Sequence, residues 1–409
     1  MDNPSYVASV SKPRRRGGGL IKAGLLIIGA LGIFWLGLAI GRGQLGPDAI
    51  FHRSESSNLP SKLDLSSVQQ VYSDLRTSYD GQLTTNQLLD GIKTGLAQAT
   101  GDPYTEYFSP TAAKQFNDQL SGSFSGIGAE LGKDSSGNLI VISPIAGSPA
   151  DKAGLKAQDI ISQINGTSTT GMNTDDAVTR IRGAAGTKVT LQLIRGGTQT
   201  LSLTITRDNI TIPSVTSKTL SGNIGYIQIS QFSNDTADLA TKAAAQFKQA
   251  GVKGIVLDMR GDPGGLLDAA VSVSSLWLPN GKTILTERRG NTIVQSYTSN
   301  GTDTLQGIPT VVLIDGGSAS AAEITAAALH DNKAATLMGV TSFGKGSVQE
   351  IDQLPGGAEL KVTIAHWYTP DGKNINKQGI TPDQVVKLPA NLPAGQDPQL
   401  DAATAFLNK

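Results

Sequence analysis

Two side chains on one stretch could do chemistry together: the hydroxyl of Ser320 and the amine of Lys345. An apolar run, Thr310–Ile314, enters Gly316, Gly317, Ser318, Ala319 and Ser320, and an alanine-rich segment begins at Ala321. That order reads as a strand, a tight turn and a helix start, which exposes a small hydroxyl among free backbone N–H groups. Lys345 stands between Gly344 and Gly346. A lysine kept neutral by desolvation can take the proton of a serine and turn it into a nucleophile. Neither residue is diagnostic alone, because a Gly/Ser cluster before a helix is commonly a turn with an N-cap and a single lysine is commonly a solvated charge.

Other chemistries compete for the same residues. Gly339 to Lys345 nearly spells a phosphate-binding loop, but Gly346 occupies the place of the magnesium-binding hydroxyl, and Ser347 comes one residue late. The residues that follow alternate like a strand rather than a helix. A Ser-His-Asp triad would have to use His52, His330 or His366. No G-x-S-x-G elbow is present. His330 would lie about two to three helical turns beyond Ser320 and point away from it.

Four segments, residues 318–324 (SASAAEI), 341–349 (TSFGKGSVQ), 366–383 (HWYTPDGKNINKQGITPD) and 258–265 (DMRGDPGG), together resemble the C-terminal processing peptidases. These are tail-specific serine proteases with a PDZ domain and a Ser-Lys dyad. The resemblance runs over residues 64–386 with the motifs in the family order. It implies that Ser320 is the nucleophile, Lys345 the general base and Gln349 the glutamine that orients the lysine. It implies no metal and no other cofactor. The sequence departs from the family at Asp262, Asp315 and His330, where amides are common.

The elements that must position these residues follow from composition and pattern. A chain of 409 residues implies two or three domains. A hydrophobic content of 38% with 48 glycines fits a turn-rich globular protein. Lys+Arg and Asp+Glu are both 34, so no global field points to a nucleic-acid partner. The absence of cysteine removes disulfides, thiol nucleophiles and thiolate metal sites.

Residues 1–19 end in Arg14, Arg15 and Arg16, and residues 20–41 are apolar apart from Lys22. This reads as a short cytoplasmic tail and a transmembrane signal anchor, with the rest of the chain outside the cytoplasm. The run is long for a cleaved signal peptide, and no small-x-small site follows cleanly. Residues 42–62 form a linker. Residues 63–120 read as a small helical domain: Leu65, Val68, Val71, Tyr72, Leu75 and Tyr79 repeat at helical spacing, as do Leu88, Ile92 and Leu96. Core packing is the expected use of both faces, Thr84 or Thr85 the expected cap, and residues 101–104 the break. By resemblance this region also serves self-association, which makes a homodimer an expected partner state.

Residues 121–208 carry a glycine loop, strand patterns and one amphipathic helix at 174–181. The residues alone support a small β-rich domain; the resemblance makes it a PDZ domain, with Gly126, Ile127, Gly128 and Ala129 receiving a peptide. Residues 209–389 read as a mixed α/β core with a buried parallel strand at 254–258. The glycine turn after that strand leaves N–H groups free at a helix start. In peptide hydrolysis Gly265, ahead of Gly264, would pair with Ala321 to hold the oxyanion. Residues 390–409 are Pro/Ala-rich and read as a peripheral tail.

The whole is a multidomain α/β chain: N-terminal transmembrane helix, small helical domain, PDZ β-rich domain and mixed α/β serine protease core. The expected function is a membrane-anchored serine endopeptidase acting on protein or peptide substrates with accessible C-termini. The alternatives are a PDZ-bearing membrane scaffold with an inactive core and, from the near phosphate loop, an NTPase.

Overall fold

The computed structural model describes residue 60 and residues 62–409 apart from 390 and 394. The expected cytoplasmic tail, the expected anchor at 20–41 and nearly all of the expected linker lie outside the described residues. Among the described residues, no helix is long and apolar enough to cross a membrane. The chain divides into two compact units, Met1–Gln82 and Leu83–Lys409.

The described part of the first unit is built on helix α1 (Ser66–Ser78), which has no buried residue. Its apolar positions show at the surface, with Val71 58% and Leu75 38% exposed. The core packing expected there is therefore not found. Helical spacing specifies that a face is apolar; it does not specify what covers the face.

The second unit begins with α2 (Thr85–Gln98). Thr84 opens it with a reciprocal cap: its side chain accepts the Gln87 N–H, and the Gln87 side chain accepts the Thr84 N–H at 2.8 Å. Ile92 and Leu96 again remain exposed, and Ala97 is the one buried residue of this helix. After the break comes β1 (Glu106–Phe108), which pairs antiparallel with a distant strand, Glu359–Tyr368. This stretch is thus continuous with the core sheet rather than a free-standing helical domain. Helix α3 (Pro110–Leu120) follows.

Strands β2 (Ser123–Gly126), β3 (Ala129–Lys133) and β4 (Leu139–Pro144), the short helix α4 (Pro149–Lys152), β5 (Ile160–Ile164), β6 (Thr167–Ser168), helix α5 (Thr174–Ile181), β7 (Lys188–Arg195) and β8 (Gln199–Thr206) form a small β-rich layer. Its sheet runs β3-β4-β5-β7-β8, with β6 on β5, so β3 is an edge strand. Val141, Ile161, Leu191 and Leu193 fill its core at 0% exposure. Strand β9 (Asp208–Thr211) pairs with β2 and closes the layer where the chain enters and leaves it.

The core then runs β10 (Val215–Leu220), β11 (Ile224–Ile229), α6 (Thr236–Ala250), β12 (Gly254–Asp258), α7 (Leu267–Ser274), β13 (Thr283–Arg289), β14 (Thr292–Thr298), β15 (Thr310–Ile314), α8 (Ala321–Asp331), β16 (Thr336–Gly339), β17 (Ser347–Gln353), β18 (Glu359–Tyr368), β19 (Gln384–Val385) and α9 (Pro398–Leu407). The central sheet has the order β10-β11-β12-β15-β16-β19. Strands β11 to β19 in that order are parallel and β10 is antiparallel. Strands β12 and β15 are buried on both faces, as a covered parallel sheet requires. Ile255, Leu257, Val312 and Ile314 face α6, α7 and α8, while Val256, Val311, Leu313 and Met338 face α9. A second sheet, β1-β18-β13-β14 with β17 on β18, stands beside it.

The segment expected to be a peripheral tail is thereby corrected. Ala403 of α9 is 0% exposed against the central sheet. Arg260, at the end of β12, bridges Asp258 at 2.6 Å and Asp397 at 2.7 Å. The Pro/Ala content that suggested a tail is a helix start with Pro398 in the first turn and small residues that allow close packing.

Candidate active site

Ser320 stands where β15 hands over to α8, at φ 53° and ψ −112°. A non-glycine residue in that region is strained and persists only where its surroundings hold it. The turn before it is pinned from several sides. Ser318 Oγ donates to the Met259 carbonyl at 2.8 Å, which ties the turn to the end of β12. The Ala319 N–H donates to the Asp262 carbonyl at 2.9 Å. The Gly261 N–H donates to Asp315 Oδ1 at 2.8 Å. The two glycine turns that leave adjacent parallel strands are therefore stitched together, at the carboxyl ends where open α/β sheets place their sites.

Glu323 joins the serine turn to the lysine loop. It is 0% exposed. One oxygen accepts the Ser320 N–H and the Lys345 N–H, each at 2.9 Å. The other accepts the Gly344 N–H at 2.7 Å and the Ser342 hydroxyl at 2.5 Å. Four donors thus satisfy both oxygens of a fully buried carboxyl group. The sequence reading missed this residue, although Ser-x-x-Glu at a helix start is a capping-box signal.

The Lys345 side chain reaches over the Tyr104 ring, 5.0 Å from its centre. No ion pair holds its amine among the described residues. Burial pushes the amine below its ordinary lysine value and the nearby Lys361 charge adds to that; Glu323 and Asp102 oppose it. The carbonyl of Lys345 accepts the indole N–H of Trp367 at 2.9 Å, which fixes the loop against β18.

Ser320, Ala321, Gly264, Gly265, Lys345 and Gln349 line one cavity of about 390 Å³. Gly264 lies hard against the serine turn: a Cβ there would sit 2.6 Å from the Ala319 oxygen and 2.8 Å from Ser320 Cβ. The Gly264 N–H is given to Asp262 Oδ1 at 2.8 Å. The N–H of Gly265 meets no acceptor among the described residues, and that of Ala321, first in α8, has no partner within its own helix. Gln349 directs its amide to Ser347 Oγ at 2.8 Å and Thr363 Oγ1 at 3.2 Å, not to the lysine.

The profile of peptidase family S41 matches residues 223–386, and that of the PDZ domain matches residues 140–195. The carboxy-terminal processing protease CtpA of Bacillus subtilis is 41% identical over 352 residues, which span 85% of this chain and 74% of that protein. This chain belongs to peptidase family S41. A CtpA-like serine protease of Staphylococcus aureus is 36% identical over 335 residues, 81% of this chain and 66% of its own length. The solved photosystem II D1 C-terminal processing protease aligns over 85% of this chain and 92% of that one, at 28% identity and a TM-score of 0.50. The chain is accordingly a serine-type peptidase with a PDZ domain on a mixed α/β fold.

The S41 assignment agrees with how the rival chemistries fare in the structure. Lys345 leads into strand β17, whereas a phosphate loop must lead into a helix. His330 turns to Asp331 at 2.9 Å and Asp383 at 3.1 Å, away from Ser320. Gly126, Ile127, Gly128 and Ala129 lie at the β2–β3 corner of the PDZ layer and do not line the cavity of this peptidase. Ile127 is 2% exposed and packs in the PDZ core. Gly128, at φ 77°, turns the chain into edge strand β3. Helix α5 packs beside β3.

Proposed function

We propose that this chain is a membrane-anchored endopeptidase that cleaves C-terminal regions of proteins outside the cytoplasm through a Ser320–Lys345 dyad. The observation that carries the reading is one cavity lined by both Ser320, whose backbone is strained, and Lys345, whose amine is partly buried and has no ion pair among the described residues. The substrate class comes from the carboxy-terminal processing protease of Bacillus subtilis. The anchor rests on the apolar stretch 20–41 and the arginines before it.

A substrate tail adds as a strand to β3, with its terminal carboxylate at the Gly126–Gly128 corner, and its upstream residues enter the cavity. Neutral Lys345 removes the Ser320 proton, and the oxygen attacks the scissile carbonyl. The negative charge gathers on the carbonyl oxygen, which the N–H groups of Gly265 and Ala321 hold. Lys345 returns the proton to the leaving amine as the C–N bond breaks, which leaves an ester on Ser320. Water, deprotonated by Lys345 in turn, hydrolyses that ester and regenerates the serine. Gln349 reaches the lysine by giving up one of its present bonds when substrate enters. The exposed apolar faces of α1 and α2 support self-association into a homodimer.

The test is labelling by a fluorophosphonate probe, together with mass spectrometry of protein C-termini in cells carrying the wild-type chain or Ser320→Ala. The expected result is a probe adduct on Ser320 alone and a set of C-termini that lengthen in the variant. Unchanged C-termini together with equal labelling of the variant would reject the reading.

A further inference from the structure

Asp262 is 0% exposed. Its Oδ1 accepts the Gly264 N–H at 2.8 Å, and its main-chain oxygen accepts the Ala319 N–H at 2.9 Å. One residue therefore holds both the loop that carries Gly265 and the turn that carries Ser320. Its second carboxyl oxygen is buried with no hydrogen-bond partner among the described residues. An ionised carboxylate with a bare, dry oxygen is costly, and the proton stays on instead.

No neighbouring charge relieves that cost. On the same turn Arg260 is engaged with Asp258 and Asp397. On the adjoining turn Asp315 takes the Gly261 and Gly317 N–H groups. Asp268 stands in the first turn of α7. In the first turn of α8 Glu323 is saturated by its four donors, and Lys345 makes no ion pair with Asp262. Burial pushes the Asp262 carboxyl up to about 8, against a downward pull from the Gly264 N–H.

We propose that Asp262, in its neutral form, is a positioning residue for the oxyanion site, holding the Gly264 peptide so that the next N–H faces the reacting carbonyl. This rests on the peptidase mechanism given above. A neutral acid orients the loop without opposing the anion that forms on its far side. Once ionised, it places a buried negative charge beside the two N–H groups that must stabilise a second one. Activity therefore falls on the alkaline side, while Lys345 sets the acid side.

The test is the pH dependence of kcat and KM for peptide cleavage by the full-length chain, compared with Asp262→Asn, Asp262→Ala and Ser320→Ala. The wild type is expected to give a bell, losing about tenfold in kcat per pH unit beyond the alkaline midpoint. Asp262→Asn keeps an acceptor for the Gly264 N–H and cannot ionise, so its profile rises to a plateau with no alkaline limb. Asp262→Ala loses about tenfold or more in kcat at every pH with KM within about twofold of wild type. Urea unfolding gives a readout independent of activity: the wild-type midpoint falls relative to Asp262→Asn as pH rises from 5 to 8, because only the unfolded wild-type chain releases the proton in that window. Superimposable profiles, or midpoints that stay parallel, would overturn the role of Asp262 and leave the peptidase standing. Cleavage that survives in Ser320→Ala would instead remove the mechanism itself.

Discussion

Glu323 holds the backbone of Lys345: its Oε2 accepts the Lys345 N–H at 2.9 Å although 22 residues separate the two in the chain. The same oxygen accepts the Ser320 N–H. One buried carboxylate thus ties the backbone of Ser320 at the start of a helix to that of Lys345 on a loop.

Glu323→Ala leaves without an acceptor the four donors that meet a fully buried carboxyl group. Each such loss costs about 1–3 kcal/mol, not additively, so the variant is expected to lose about 3–5 kcal/mol of stability. The lysine loop is also released, and fluorophosphonate labelling of Ser320 should slow by about 10²-fold or more. Glu323→Gln keeps one acceptor oxygen and should fall between the two. Labelling of Glu323→Ala at the wild-type rate would show that the carboxylate does not align the pair.

Burial lowers the affinity of Lys345 for a proton. As the proposed base, the amine would accept the serine proton only above its lowered value, so acylation should rise with pH through a midpoint below the ordinary 10.5. The same shift destabilises the folded chain at low pH, where protonation is forced, and the penalty disappears above the ordinary lysine value. Lys345→Met should therefore abolish cleavage while unfolding at a higher urea concentration at neutral pH, by about 1 kcal/mol after allowance for solvent screening. A Lys345→Met chain that cleaves, or an acylation rate flat with pH, would contradict the assignment.

The glycine turn after β12 admits no side chain. Gly265 lies at φ 144°, and a Cβ there would meet the Phe232 oxygen at 2.0 Å. At Gly264, with φ 94°, it would meet the serine turn. Gly264→Ala should cost about 2–4 kcal/mol through strain and overlap and should reduce kcat far more than it raises KM. Differential scanning calorimetry and steady-state kinetics on the same sample check both. An active, equally stable Gly264→Ala would mean that the turn is looser than drawn here.

His330 binds Asp331 and Asp383, and these partners hold its protonation above the ordinary histidine value against the opposing effect of burial. Because the folded value is the higher one, the stability this gives is fully present below about 6.5 and lost as pH rises through the folded value. The ring is 37% exposed, so the effect is about 0.5–1 kcal/mol. His330→Gln should be less stable than wild type at pH 5 and equal to it at pH 9 by urea unfolding. Parallel curves at the two pH values would remove the ion pairs as a source of stability.

Much of the scaffold was legible because its signals are local. Residues 174–181 carry helical spacing after an Asn cap, and the helix is observed at those residues. Gly254–Asp258 is an apolar run between turns, and it is a parallel strand buried on both faces. Ser320 and Lys345 were readable as residue types, but their place on one cavity depends on contacts across 25 positions, which no local pattern encodes. Glu323 escaped because a buried acid and a surface acid look the same in a sequence; its partners arrive from the loop at 342–345. The helix at Pro398–Leu407 escaped for a similar reason, since its partners are distant in sequence: Ala403 packs against the central sheet, and Asp397 pairs with Arg260, 137 residues earlier.

Trp367 makes one further property accessible. It is one of three tryptophans, with Trp35 and Trp277. Its ring borders the cavity, and its N–H rests on the Lys345 carbonyl. Trp277 is buried elsewhere, with its N–H on Thr310. Any shift of the lysine loop alters the polarity around one indole and not the other. In a Trp35→Phe background, emission spectra would follow substrate entry in real time, without a dye and without waiting for product.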